Sequence, residues 1–162
     1  MSPQAKPIPE GFSTITPYLI VRNAEAAIDF YKKAFGAQEI SRQPGPDGKT
    51  ILHATIKIGD SVLMLNDECP DWGCRGPESL GGTPVSIHLY VTDVDASFQR
   101  AIDAGAAVTM QVNDTFWGDR FGKLKDPFGH EWSIATHTED LTPQQISQRA
   151  EKFFATCGAP SG

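Results

Sequence analysis

Apolar and polar positions alternate along the first ordered stretch of the chain. Ile15, Pro17, Leu19 and Val21 fall on one face, and Thr14, Thr16, Tyr18 and Ile20 on the other, which is the two-residue period of a half-buried strand. Over 24–35 the period lengthens, and Ala27, Ile28, Tyr31 and Phe35 share one side of a helix. Asn23 is suited to cap its start and Gly36 to stop it. The same succession returns further on, with Asp93 as cap, Val94, Phe98, Ala101 and Ile102 on one face over 94–104, and Gly105 as stop. Three short strands are predicted after each helix, near 38–43, 51–58 and 61–66, and near 107–112, 121–125 and 131–137. "PGPDGK", "IGDS" and "DPFG" punctuate them as turns. Each half reads β-α-β-β-β.

The halves are copies of one unit. At an offset of 70 residues Leu19 meets Leu89, Val21 meets Val91, Asn23 meets Asp93, Glu25 meets Asp95 and Gly59 meets Gly129. The pattern predicts a flexible, proline-bearing arm over 1–12 and one domain over 13–140. Within that domain, module 1 covers about 13–67, a linker loop 68–84 and module 2 about 85–140. A last helix and tail occupy 141–162. Thr142 caps that helix, Pro143 begins it, and Ile146, Ala150, Phe153 and Phe154 give it an apolar face to dock on the body or on a second subunit.

Composition narrows the function mainly by exclusion. A net charge of −6, from 14 basic and 20 acidic residues, argues against nucleic-acid phosphate as a partner, which demands a basic footprint. The apolar runs are too short to cross a bilayer, and "MSPQAKPIPEGFS" lacks the core of a signal peptide. A cytoplasmic protein is expected, with no membrane partner. Cys69, Cys74 and Cys157 are an odd number for a disulfide framework, so "CPDWGC" reads as a surface loop with two ordinary thiols.

The tandem pattern, with "AIDFYKKAFGA" in the first helix and "DPFGHEW" before the last strand, closely resembles the vicinal oxygen chelate superfamily of glyoxalases, bleomycin-resistance proteins and extradiol dioxygenases. "DSVLMLND", "IHLYV" and "WGDRFGKLKDPFGHEWSIATH" look most like its PhnB-like branch. The resemblance implies an α+β fold whose βαβββ modules form a cup-shaped mixed sheet, here with an extra C-terminal helix, and a homodimer. It also implies four metal-ligand positions, at Thr16, Met64, Ser86 and Ser133. Two serines, a threonine and a thioether cannot replace the hydration of a divalent ion, so the expected cofactor is none. A metal held by displaced His53 and His88 is the alternative.

The remaining candidates follow from alternation. Tyr18, His88 and Tyr90 point into the cup, joined by Met64 and Ser133, while His53, Thr55 and Lys57 oppose the apolar Leu52, Ala54, Ile56 and Ile58. Glu131, Ser133, Ala135 and His137 share the cavity side of the last strand, and His130, Trp132 and Ile134 the helix side. Phe116, Trp117 and Arg120 suit the mouth of a pocket for a planar anionic ligand, Arg120 either clamping it or pairing with Asp119, and Trp72 serves as a lid. The expected function is metal-free binding of a small aromatic or amphipathic molecule. The alternatives are a metal-dependent or acid–base lyase or isomerase, with His88 and Glu131 as catalytic candidates, and an interaction module working through its last helix.

Overall fold

The computed structural model of the protein describes residues 4–157, so positions 1–3 of the expected arm and 158–162 of the expected tail lie outside the described residues. Module 1 runs β1 (Tyr18–Val21), α1 (Ala24–Phe35), β2 (Gln38–Pro44), β3 (Ile51–Ile58) and β4 (Ser61–Asp67). A turn of 3-10 helix at Pro70–Trp72 and a short α2 (Pro77–Leu80) lie where the sequence suggested only loop. Module 2 follows as β5 (Ser86–Tyr90), α3 (Val94–Ala104), β6 (Ala107–Asp114), β7 (Asp119–Lys125) and β8 (Glu131–His137), and α4 (Pro143–Cys157) ends the described chain. The fold is α+β, with two four-stranded mixed sheets of order β1-β4-β3-β2 and β5-β8-β7-β6. In both, the first strand lies parallel to the fourth and the other pairs are antiparallel.

Local chemistry sets these boundaries. The Asn23 and Asp93 side chains accept hydrogen bonds from the amides of Ala26 and Ala96, each at 3.0 Å, satisfying helix donors that would otherwise be orphaned. Gly36 and Gly105 close the helices in the left-handed conformation. Thr142 and Gln145 cap α4 reciprocally: each side chain accepts from the other's amide.

Two expectations fail for identifiable reasons. The first strand does not begin at Thr14: the Thr16 hydroxyl donates to the Ser13 carbonyl at 3.2 Å and the chain bends there, leaving Ile15 85% exposed instead of on the core face. Leu52 does not join the apolar side of β3 either. Gln43 faces His53 but Pro44 faces Ile51, so the register slips, Ile51 takes the buried place and Leu52 turns outward.

The helix-side faces of both sheets pack into one core, with Leu19, Ile56 and Leu65 from module 1 and Leu124, Trp132 and Ile134 from module 2. The modules meet chiefly through α1 and α3. Arg100 of α3 donates to the carbonyls of Lys33 (2.6 Å) and Lys32 (3.2 Å), pairing a cation with the negative end of α1.

Deeper in the seam, Asp126 of the "DPFG" turn is 4% exposed. It accepts from the Tyr31 hydroxyl at 2.6 Å, the Trp132 indole at 2.8 Å and the amides of Phe128 and His130, both at 2.9 Å. The Tyr31 phenol is held well above its ordinary range by burial, and further by the negative charge and hydrogen bond of Asp126. His130 also crosses the seam, its Nε2 lying 2.9 Å from the carbonyl of Ile20. Gly129 turns with φ 91° beside Pro77, where a Cβ would lie only 2.9 Å from the proline ring, so no side chain fits between linker and turn.

Removing the carboxylate strands four donors at once, two of them on fully buried side chains. Asp126→Ala should therefore lower unfolding free energy by about 3 kcal/mol or more, and Tyr31→Phe, which loses one bond to a charged group, by about 2 kcal/mol. Urea denaturation followed by tryptophan fluorescence measures both; equal small losses for the two variants would contradict the assigned role.

Candidate functional site

Because the helices cover one face of each sheet and, among the described residues, no strand of one module pairs with a strand of the other, each sheet keeps an open face. On module 2 the register lays out its rows. His88 of β5 lies beside Ser133 of β8, which lies beside Lys123 of β7 and then Met110 of β6. The next row is Tyr90, Ala135 and Phe121, and on the other side Ser86, Glu131 and Lys125 form a third.

The contacts knit this surface together. His88 Nδ1 lies 2.7 Å from the hydroxyl of Ser133, itself 5% exposed. The imidazole meets Tyr90 edge-on at 4.5 Å and stacks on Phe121 at 5.9 Å, and Phe121 meets Trp117 at 5.6 Å. Withdrawal from water lowers the His88 pKa, outweighing the opposing pull of Asp119. The ring is thus kept neutral at pH 7, with Nε2 free of any hydrogen bond among the described residues.

Asp119, 3% exposed, anchors the rim. It accepts from the Tyr90 hydroxyl and the Trp117 indole, each at 3.1 Å, and from His137 Nδ1 at 2.8 Å. Burial works to raise its pKa, but hydrogen bonds from His137, Tyr90 and Trp117 prevail and hold it below the ordinary carboxylate range. Hydrogen bonds to Asp140, then Asp119, hold the His137 imidazole above its usual value. With a carboxylate on each ring nitrogen, both nitrogens act as donors, which is the protonated form.

The open face of module 1 is simpler. Tyr18 lies beside Met64, and Met64 beside Thr55. The Tyr18 hydroxyl lies 3.1 Å from His53 Nδ1, and His53 Nε2 lies 3.3 Å from the Thr55 hydroxyl. His53 and His88 therefore belong to different sheets, and among the described residues no cluster of three or more His, Cys, Asp or Glu side chains is arranged to hold a metal. The metal positions implied by the family resemblance do not fit an ion: Thr16 donates to Ser13, Ser133 is paired with His88, and Met64 and Ser86 offer only a thioether and a hydroxyl.

Several expected neighbours are separated. Arg120 points away from Asp119 and pairs with Asp95 (2.8 Å) and Asp114 (3.2 Å), since adjacent strand residues face opposite sides. It is therefore placed with α3 and not with Trp117. Phe116 keeps its place edge-on to Trp117 at 5.0 Å and also packs on α4, 5.6 Å from Phe153 and 6.0 Å from Phe154. Trp72 stands 77% exposed on the linker. Glu131 begins β8 beside Lys125.

Lys123 and Phe121 escaped the sequence reading, although the alternation applied to β8 would have found them on β7. Adjacency in sequence suggests for Asp119 only a pairing with Arg120. A cleft of about 680 Å³ runs between the modules beside the free edge of β5; of the site candidates only His88 and Tyr90 line it.

The sequence matches the Glyoxalase/Bleomycin resistance protein/Dioxygenase superfamily over residues 11–134. An uncharacterized protein of Mycobacterium tuberculosis (strain H37Rv) is 52% identical over 136 residues, covering 82% of this chain and 79% of that one. The structure of TioX from Micromonospora sp. ML1 superposes with a TM-score of 0.62 at 29% identity, over 77% of this chain and 98% of TioX. The PhnB protein of Bacillus cereus shares the fold, with a TM-score of 0.60 at 21% identity over 76% of this chain and 99% of its own.

Two imidazoles on one face should titrate in opposite senses around the reference value of about 6.5. The stability contributed by neutral His88 is present above that value and lost as pH falls through its lowered folded pKa. That contributed by protonated His137 is present below it and lost as pH rises through its raised folded pKa. Imidazole NMR titration should find His88 below and His137 above; the reverse order would refute these environments.

Proposed function

The chain belongs to the Glyoxalase/Bleomycin resistance protein/Dioxygenase superfamily, and from that premise we propose that it binds a small aromatic or amphipathic molecule without a metal, on the open face of module 2. One observation carries the proposal. Where a chelating relative needs anionic or imidazole donors, this chain presents a serine bonded to a neutral imidazole at 2.7 Å, walled by Tyr90, Phe121 and Trp117.

Each wall residue supplies a distinct interaction. Stacking or edge-on contact with Phe121 and Trp117 contributes about 0.5–1.5 kcal/mol per ring pair beyond the area buried. The free Nε2 of His88 offers one hydrogen bond, as donor or acceptor according to the tautomer that Ser133 selects. Lys123, next to Ser133 in register and exposed, supplies a cation, so a planar ligand bearing a carboxylate or phosphonate suits the face best. Trp117 is fixed by its indole bond to Asp119, which lowers the entropy cost of ordering the wall.

The His88–Ser133 pair also favours a second possibility, an acid–base lyase or isomerase in which the neutral imidazole moves a proton through Nε2. A homodimer belongs to the proposal as well. Tyr18 and Tyr90 are 46% and 66% exposed, and Phe153 and Phe154 are nearly half exposed on α4, apolar surface of the kind a second copy would cover. The cytoplasm is the proposed location, in keeping with three free cysteines. Among the described residues no helix is long and apolar enough to cross a membrane.

Protein purified without a histidine tag and treated with chelator should gain thermal stability from at least one member of a panel of aromatic carboxylates, phosphonates, thiol conjugates and glycopeptide antibiotics. Lys123→Ala should weaken an anionic ligand about tenfold, roughly 1.4 kcal/mol, and Phe121→Ala should weaken ligands of either charge. Stoichiometric zinc, nickel, iron or manganese that disappears in a His53→Ala/His88→Ala double variant would overturn the metal-free assignment.

A further inference from the structure

The linker hairpin carries chemistry that the ligand site does not use. Cys69 and Cys74 face one another as an isolated antiparallel bridge: the Cys69 amide donates to the Cys74 carbonyl at 2.9 Å and the Cys74 amide to the Cys69 carbonyl at 3.0 Å. A pair bonded in both directions has its Cα atoms about 5.5 Å apart, inside the roughly 4.4–6.8 Å span of disulfides. Directly opposed side chains project from the same face. Both thiols are free and partly exposed, and Cys74 Sγ has only a weak contact, 3.9 Å from the Trp72 carbonyl.

The hairpin is also clamped at its base. The Glu68 amide donates to the Val21 carbonyl at 2.8 Å, while the Glu68 carboxylate accepts from the Gly76 amide at 2.6 Å. Between the cysteines a 3-10 turn is closed by bonds from Trp72 to Cys69 and from Gly73 to Pro70, both 3.0 Å, with Gly73 at φ 75°. The two cysteine backbones are thereby held opposite one another in a hairpin fixed at both ends, which removes most of the loop-closure cost of joining the side chains.

We propose that Cys69 and Cys74 are a redox modification site, forming a reversible internal disulfide that locks the Trp72 hairpin at the end of β4. The oxidant is a low-molecular-weight disulfide. One cysteine thiolate attacks it, forming a mixed disulfide and releasing one thiol; the second cysteine thiolate attacks the protein sulfur of that adduct and releases the other. Two cysteine thiols are oxidised, one disulfide is reduced to two thiols, and the two cysteine protons pass to them.

Reversibility follows from geometry. Opposed residues in a ladder keep their Cβ atoms about 4.5–5.5 Å apart, whereas a disulfide draws them to about 3.8 Å. Closing the bond strains the hairpin and leaves it readily reduced, as regulatory disulfides are. The Tyr18 phenol, on the open face of module 1, is raised first by partial burial and then by the charge of Cys74. Trp72 rides on the same turn.

The test uses the full chain, equilibrated with glutathione and glutathione disulfide, quenched in acid, alkylated and mapped by peptide mass spectrometry. Cys69 and Cys74 should disappear together into one internal bond, with Cys157 as an exposed thiol for comparison. Because an internal disulfide releases two thiols, raising total glutathione tenfold at a fixed reduced-to-oxidised ratio should lower the oxidised-to-reduced ratio of the protein tenfold; a glutathione adduct would not move. Cys69→Ser should convert Cys74 to such an adduct, and if that variant does not fold, mapping of the unaltered chain decides alone. Recovery of Cys69 and Cys74 as separate adducts, as unreacted thiols under the most oxidising mixture, or bonded to Cys157 or another chain would overturn the proposal.

Discussion

The buried carboxylate of Asp126 is the constraint on which the arrangement depends. It draws a hydroxyl from α1, an indole from β8 and two amides of its own turn onto two oxygens, so both modules are registered against one point. A carboxylate so placed is tolerable only when its hydrogen-bonding capacity is met. Meeting it fixes Tyr31 against Trp132, with ring centroids 5.4 Å apart, and sets Phe35 over the same indole at 4.6 Å. Once the helix-side faces are locked together in this way, the opposite faces are left open.

That division gives the two faces different chemistry although the modules are copies. The row Tyr18, Met64 and Thr55 in module 1 corresponds to His88, Ser133 and Lys123 in module 2. The first is a phenol, a thioether and a hydroxyl; the second an imidazole, a hydroxyl and an ammonium. Only the second combines a neutral titratable ring with an exposed cation and an aromatic wall. Neither offers the two or three anionic or imidazole donors that a divalent ion requires to replace its water.

The fold was largely legible because repeat, caps and glycine stops all pointed the same way: Asn23 and Asp93 cap as their residue types demand, and Gly36 and Gly105 end the helices they follow. Side-chain direction was legible wherever alternation ran unbroken, as for Ser133 against Trp132. It failed at Leu52, where a bulge shifts the parity, and at Ile15, where a threonine–serine hydrogen bond bends the chain. For Arg120 the sequence offers a ligand clamp or a pair with Asp119, but neighbours on a strand face apart and its partners lie on α3 and at the end of β6. The bridging role of Asp126 could not be read at all, because its partner Tyr31 lies 95 residues away and a "DPFG" turn explains an aspartate locally.

The central claim is that the open face of module 2 seats an aromatic anion without help from an ion. Nitrogen-resolved NMR on chelator-treated protein tests it most directly, following the side-chain signals of Trp117, His88 and the buried Trp132 during titration with an aromatic carboxylate that stabilises the protein. Trp117 and His88 should shift saturably while Trp132 stays in place. Shifts that appear only after a divalent metal is restored, or that spare both Trp117 and His88, would contradict the account.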